Sequence, residues 1–283
     1  MTTTISNLVE LYTAVRADLD GVFLQTADID ASITNPATAA LGWDGTAYAA
    51  GSWVTHADKT WYCATGGATA DDEPGYSGQW IEAWVTANGW LPIGTSGTPF
   101  AGVYDGGGHN VTGLFLERTA TDNCGLFGYS TGTIRNLTVS GSVYGNRSVG
   151  GVVGYAFSGV LSNVHSAASA RTTVNTPGGL VGNVGAVAIS DCSASGNVIA
   201  GTNGAGGLAG YMGSGSSIIR SHATGNVTGA VNCGGLSGSL VGGVATQCWA
   251  SGSVTATTPC GGLIGNCASS TVSQCYATGN VSG

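Results

Sequence analysis

The chain has 283 residues, of which 50 are glycine and only 8% are charged, with a formal net charge of −8. Its charge is uneven: fourteen acidic residues face three basic ones up to Asp122, and beyond it four arginines face Asp191 alone. Neither part has a basic stripe with interleaved aromatics, which argues against nucleic acid as a partner, and no uncharged apolar run approaches the roughly 20 residues of a membrane span.

In chain order, residues 7–19 predict an amphipathic helix. Leu8, Leu11, Tyr12, Val15 and Leu19 share one face, and Asn7 with Glu10 has the form of a capping box. Glu10, Asp18 and Asp20 stand where an export signal needs an apolar core, so residues 1–20 read as structure, not as a signal peptide. Val22 to Asp30 reads as a strand ending in a polar turn. A helix and strand ahead of a stack of coils provide a cap for apolar core and unpaired backbone.

Residues 36–88 form a compositional island. Six of the seven tryptophans (Trp43, Trp53, Trp61, Trp80, Trp84 and, just past it, Trp90) fall within fifty residues. Short alternating stretches broken by Gly and Asp predict a small β module. Part of this aromatic content is needed to build its core. Trp61, Tyr62, Tyr76 and Trp84 flank its Gly- and Asp-rich stretch and are the candidates for an exposed platform. Asp71-Asp72-Glu73 lacks the spacing of a calcium loop and reads as a solvated turn.

From Phe100 onward a repeat takes over. Gly150-Gly-Val-Val-Gly154 returns at Gly178, Gly206, Gly234 and Gly261, every 27 or 28 residues, and Gly151, Gly179, Gly207, Gly235 and Gly262 mark its second glycine. A second phrase keeps step with it: Ser140-Gly-Ser-Val, Ser195-Gly-Asn-Val, Thr224-Gly-Asn-Val, Ser251-Gly-Ser-Val and Thr278-Gly-Asn-Val. One structural unit repeated at such a period is a solenoid. Three strands per period are expected, with glycine serving the bends through positive φ and letting coils approach closely. About six coils fit from Gly125 onward.

Several residue types bear on chemistry. Cys192, Cys248 and Cys275 share one repeat position and Cys233 and Cys260 another. They read as small buried thiols, and disulfides between adjacent coils remain an alternative in an oxidising compartment. His165 and His222 share a position two coils apart, with Ser193 between, too far for one metal ion to bridge. A paired-carboxylate mechanism needs two acids, and the repeats offer only Asp191. Asp105 and His109 belong to an Asp-Gly-Gly-Gly-His turn, and Asp28 and Asp30 suit turn capping. No metal, cofactor or catalytic residue is assigned.

These residues resemble bacterial and phage surface proteins that carry GLUG-type repeats on a right-handed parallel β-helix. The resemblance rests on the glycine phrase together with Leu24-Gln-Thr-Ala-Asp28-Ile-Asp30, Trp90-Leu-Pro-Ile-Gly94, Phe100-Ala-Gly-Val-Tyr-Asp105-Gly-Gly-Gly-His109, Gly125-Leu-Phe-Gly128 and Ile134-Arg-Asn-Leu-Thr-Val139. It covers nearly all of the chain outside residues 36–88. The island resembles a chitin-binding-type carbohydrate module of the family 5/12 sort, through Trp43, Tyr48-Ala-Ala-Gly51-Ser-Trp-Val54, Trp61-Tyr62-Cys-Ala64, Glu73-Pro74-Gly75 and Trp80, with Thr65-Gly66-Gly67 where paired tryptophans often follow.

The expectation is therefore an all-β chain in three parts. Residues 1–35 form a cap helix and first strand, 36–88 an inserted β module, and 89–283 the parallel β-helix. The resemblance implies a cell-surface or fibre role, here expected to be non-catalytic attachment, and the lack of a signal peptide in residues 1–20 favours a phage tail fibre or other virion component first. A bacterial adhesin, a purely structural virion or filament subunit and a tailspike-like depolymerase are the alternatives. Expected partners are a surface glycan or neighbouring virion subunits, with a homotrimer as one assembly a fibre admits.

Overall fold

The computed structural model describes residues 1–32, 41–42, 53–56, 59–63, 80–83, 88–258 and 260–283. It is a parallel β-solenoid of about 7 turns. At the N-terminus β1 (Thr2–Ile5) leads into α1 (Leu8–Ala17), followed by β2 (Val22–Gln25) and β3 (Ile29–Asp30). Asn7 caps the helix by accepting the Glu10 amide at 3.0 Å. Glu10 reaches back one residue beyond the usual box, accepting the Ser6 amide at 2.6 Å and its hydroxyl at 2.9 Å. Leu8, Leu11 and Val15 are buried in one core with Ile5, Phe23 and Phe100. The helix thus covers the end of the core that the sequence marked as needing a cap.

The coils stack in register. Starting at β2, one column runs Phe23, Tyr104, Ile134, Leu161, Ile189, Ile218, Ala245 and Val272, each residue the direct partner of the next. These side chains form the inner wall, buried from Phe23 through Ala245. Parallel strands buried on one face take near-identical residues because a side chain meets its own equivalent about 4.8 Å away.

Strands β8 (Val103–Asp105), β9 (Asn110–Arg118), β10 (Phe127–Ser130), β11 (Thr133–Gly150), β12 (Val153–Ser166), β13 (Ser169–Gly178) and β14 (Val181–Ser190) supply the first coils after the insert. Each later coil holds more than the expected three strands. A two-residue strand recurs at Ser193–Ala194, His222–Ala223, Trp249–Ala250 and Tyr276–Ala277, and the paired glycines form a bridge column of their own.

The bends correct the sequence reading. One corner stacks Asn136, Asn163, Asp191, Arg220, Gln247 and Gln274, all at φ between 48° and 57°. Another stacks Asn123, Ser148, Thr176, Gly204 and Asn232. Most of these left-handed corners are therefore made by non-glycine residues, whose strain is offset by bonds between coils. Asn163 Nδ2 donates to Asn136 Oδ1 at 2.9 Å, and the Arg220 guanidinium donates to both Asp191 oxygens at 2.6 and 2.7 Å.

The repeated glycines serve the other role. Their φ is not positive, but a Cβ on Gly151 would lie 2.1 Å from Ser166 Oγ, on Gly179 2.3 Å from the Gly207 carbonyl, and on Gly235 2.1 Å from the Gly262 carbonyl. The glycine of the second phrase is equally confined, with a Cβ on Gly196, Gly225, Gly252 or Gly279 falling 2.0 Å from the carbonyl of the preceding coil.

A polar knot sits in the first coils. The buried Tyr104 hydroxyl donates to Gln25 Oε1 at 2.9 Å, while Gln25 Nε2 donates to the carbonyls of Ala27 and Asn110. Burial pushes the Tyr104 phenol far up, so it remains a donor. Tyr104→Phe leaves a buried amide oxygen unpaired and should cost about 1–3 kcal/mol, read as a lowered urea midpoint with unchanged slope.

Within the island, β4 (Leu41–Gly42), β5 (Trp53–His56), β6 (Lys59–Cys63) and β7 (Trp80–Ala83) form a separate four-stranded sheet in that order. Strands β5, β6 and β7 pair antiparallel, and β4 joins β5 in parallel.

Candidate functional site

The sequence placed its candidate platform on the island. Trp61 and Tyr62 lie consecutively in β6, paired across to Val54 and Trp53 on one side and to Glu82 and Ile81 on the other. Tyr76 and Trp84 lie outside the described residues. Gly151, Gly179, Gly207, Gly235 and Gly262 follow one another on successive coils, and a Cβ on any of the first four would run into the carbonyl of the next.

The described solenoid also carries two outward columns of aromatics that the sequence reading passed over. In the first, Tyr129 and Tyr155 are direct partners on successive coils with ring centroids 5.0 Å apart, and the column continues through Asn183, Tyr211, Ser239 and Asn266. Phe157, 51% exposed, stacks on Tyr129 at 6.0 Å and meets Tyr155 edge-on at 6.1 Å. This column presents rings, amides and hydroxyls, and no charged side chain. Each tyrosine follows the last glycine of its phrase, at Gly128, Gly154 and Gly210, a signal readable from the repeat.

The second column lies on the two-residue strands. His222 and Trp249 are partners whose rings stack at 4.2 Å and 6°, and Tyr276 follows at 6.3 Å and 11°. Below them Ser193 leaves a one-coil gap, and His165 Nδ1 lies 2.8 Å from the Ser193 hydroxyl while its Nε2 lies 3.1 Å from Asn163 Oδ1. Burial, with His165 adding, lowers the His222 pKa, which favours the neutral imidazole that stacks on Trp249. The spacing of 27 residues between His222, Trp249 and Tyr276 is visible in the sequence once the period is known.

Asp28, Asp105 and Asp191 each bond to the neighbouring coil. Asp28 accepts the Asn110 amide at 2.9 Å, which with the Asn110 side chain holds its pKa below the usual range, and His109 lies 3.4 Å away. For Asp105, burial works upward but is outweighed by Asn136, the Gly107 amide and Arg135, so its pKa is also lowered. Asp191 is lowered chiefly by its bonds from Arg220. Among the described residues no cluster of three His, Cys, Asp or Glu could hold a metal ion. No helix of the described residues is long and apolar enough to cross a membrane.

No family model matches the chain, and no solved structure matches it. Two proteins are similar over part of it. A protein described as Halomucin, from Haloquadratum walsbyi, is 34% identical over 128 residues, 44% of this chain and 1% of the relative. A putative Gly-rich membrane protein from Evansella cellulosilytica is 39% identical over 82 residues, 27% of this chain and 9% of the relative. The chain therefore spans a small fraction of the length of both. A solenoid of this kind suits a structural or surface protein.

Proposed function

We propose that this chain is a non-catalytic scaffold displayed at a surface, which holds aromatic side chains against a glycan. The observation that carries this is the pair of outward aromatic columns on a rigid, nearly uncharged rod. Planar rings with amide and hydroxyl neighbours suit neutral sugars, which offer apolar ring faces edged by hydroxyls. The island, with Trp61, Tyr62, Tyr76 and Trp84, is proposed as a second contact through its likeness to carbohydrate-binding modules.

Display on a cell surface is favoured by the two cellular relatives, one of which bears the description of a membrane protein. The second reading is a phage tail-fibre or other virion subunit, supported by the GLUG-type likeness. In that setting neighbouring subunits are partners and a homotrimer is one assembly. Co-purification with virions or with cell envelopes separates the two.

The test is a glycan array probed with three proteins: the full chain, a variant lacking residues 36–88, and a variant carrying Tyr155→Ala, Phe157→Ala, Trp249→Ala and Tyr276→Ala. Binding by the full chain that falls at least about tenfold in either variant supports attachment and assigns the contact; a loss of that size corresponds to about 1.4 kcal/mol. Silence from all three sinks the glycan reading and leaves a purely structural subunit. Shortening of a bound glycan would instead establish a depolymerase.

A further inference from the structure

The last two coils carry cysteines in register. Cys233 and Cys260 are direct partners in the column that opens the glycine phrase. Cys248 and Cys275 lie between the paired positions Thr246–Ser273 and Trp249–Tyr276, and the Cys248 amide donates to Cys275 Sγ at 3.3 Å. The other cysteines with described side chains have no such partner. Cys124 stands beside Val149, the Cys192 amide meets the Ser221 hydroxyl, and Cys267 stands over Leu240.

Parallel partners lie about 4.8 Å apart, inside the Cα window of roughly 4.4–6.8 Å for a disulfide. Their Cβ atoms are separated by nearly the same distance, wider than the mean of about 3.8 Å that a disulfide adopts. Closing the bond thus requires one coil to lean by about 1 Å. One member of each pair, Cys260 or Cys275, is partly accessible, and the other, Cys233 or Cys248, is fully buried.

We infer that Cys233–Cys260 and Cys248–Cys275 are two inter-coil disulfide sites, closed by a low-molecular-weight disulfide oxidant, that staple the coil of residues 260–283 to the one before it. The Cys260 or Cys275 thiolate attacks one sulfur of the oxidant, forming a mixed disulfide and expelling one small thiolate. The Cys233 or Cys248 thiol then gives its proton to solvent and attacks the protein sulfur of that mixed disulfide, expelling the second. Each staple exchanges two protein S–H bonds and the oxidant's S–S bond for one protein S–S bond and two reduced small thiols. Burial raises the Cys233 thiol and pushes Cys248 up to about 11, so the closing step quickens as pH rises.

The experiment treats the 283-residue chain, as wild type and as Cys267→Ser, with oxidised glutathione. Remaining thiols are then alkylated and the peptides mapped by mass spectrometry. The expected result is cross-links Cys233–Cys260 and Cys248–Cys275, with Cys124 and Cys192 alkylated. Amide hydrogen exchange across residues 260–283 should slow by more than about tenfold on oxidation and recover on reduction. Cys260→Ser and Cys275→Ser should each remove one cross-link and leave the other. Alkylation of all four cysteines after oxidation, any other pairing, or unchanged exchange in the cross-linked protein overturns the inference.

Discussion

Gly207→Ala is expected to destabilise the rod by about 3 kcal/mol or more, while Gly262→Ala, at the same place in the same phrase, should cost less than about 1 kcal/mol. A Cβ on Gly207 would lie 2.0 Å from the Gly235 carbonyl oxygen and 2.8 Å from Ala223 Cβ, both held by stacked coils. Backbone on both sides is fixed by bonds such as Leu208 N to the Leu236 carbonyl at 2.8 Å, so the clash cannot be relieved by a rotamer change. At Gly262 the nearest atoms are side-chain carbons, Ala277 Cβ at 3.2 Å and Val281 Cγ2 at 3.5 Å. Gly97, with nothing within 4 Å, is the neutral control. Thermal melts of the three alanine variants check this. Equal destabilisation at Gly207 and Gly262 would show that the phrase is kept for another reason than coil approach.

Trp90→Ala should cost about 3–5 kcal/mol, the range for removing a large buried aromatic, and should loosen the cap before the repeats. Trp90 is fully buried where α1 meets the first coils. Its indole Nε1 donates to the Leu126 carbonyl at 3.0 Å, and its ring meets Tyr12 edge-on at 5.7 Å. Two arginines complete the joint. Arg16 stacks over the Tyr12 ring at 4.2 Å and donates to the Leu91 carbonyl, and Arg118 Nε donates to the Trp90 carbonyl at 2.8 Å. Truncation therefore opens a cavity and leaves the Leu126 carbonyl short of a donor. Hydrogen exchange should show helix amides exposed first, with the amides around Leu208 protected longest. Exposure of both together would mean that the rod melts as one unit.

The solenoid, its cap helix and the register of its coils were legible because glycine, leucine and valine recur at one period and each position meets its own copy. The corners were not. Asn136, Asp191, Arg220 and Gln247 share no chemical type, and what unites them is a backbone conformation that no composition reveals. The short strand at His222–Ala223 was missed because two residues between bends carry no alternation to detect. The aromatic columns were hidden for a related reason. His222, Trp249 and Tyr276 differ in type, so a search for identical residues skips them although the 27-residue spacing joins them. The concentration of tryptophan in the island drew attention away from tyrosines set singly after glycines.

The backbone bonds that join the coils all run along the rod. Val198 N to the Asn226 carbonyl and Leu208 N to Leu236, both at 2.8 Å, donate to the following coil and Thr278 N to Ala250, at 2.9 Å, to the preceding one, yet all three lie along one axis. A pull spread evenly over both ends would load the bonds of one coil boundary together, and they would share the force. A pull applied through the chain would instead meet them a few at a time and peel off one coil of 27 to 29 residues per event. The same molecule is thus a stiff strut under distributed load and a sequential shock absorber when tugged by its thread.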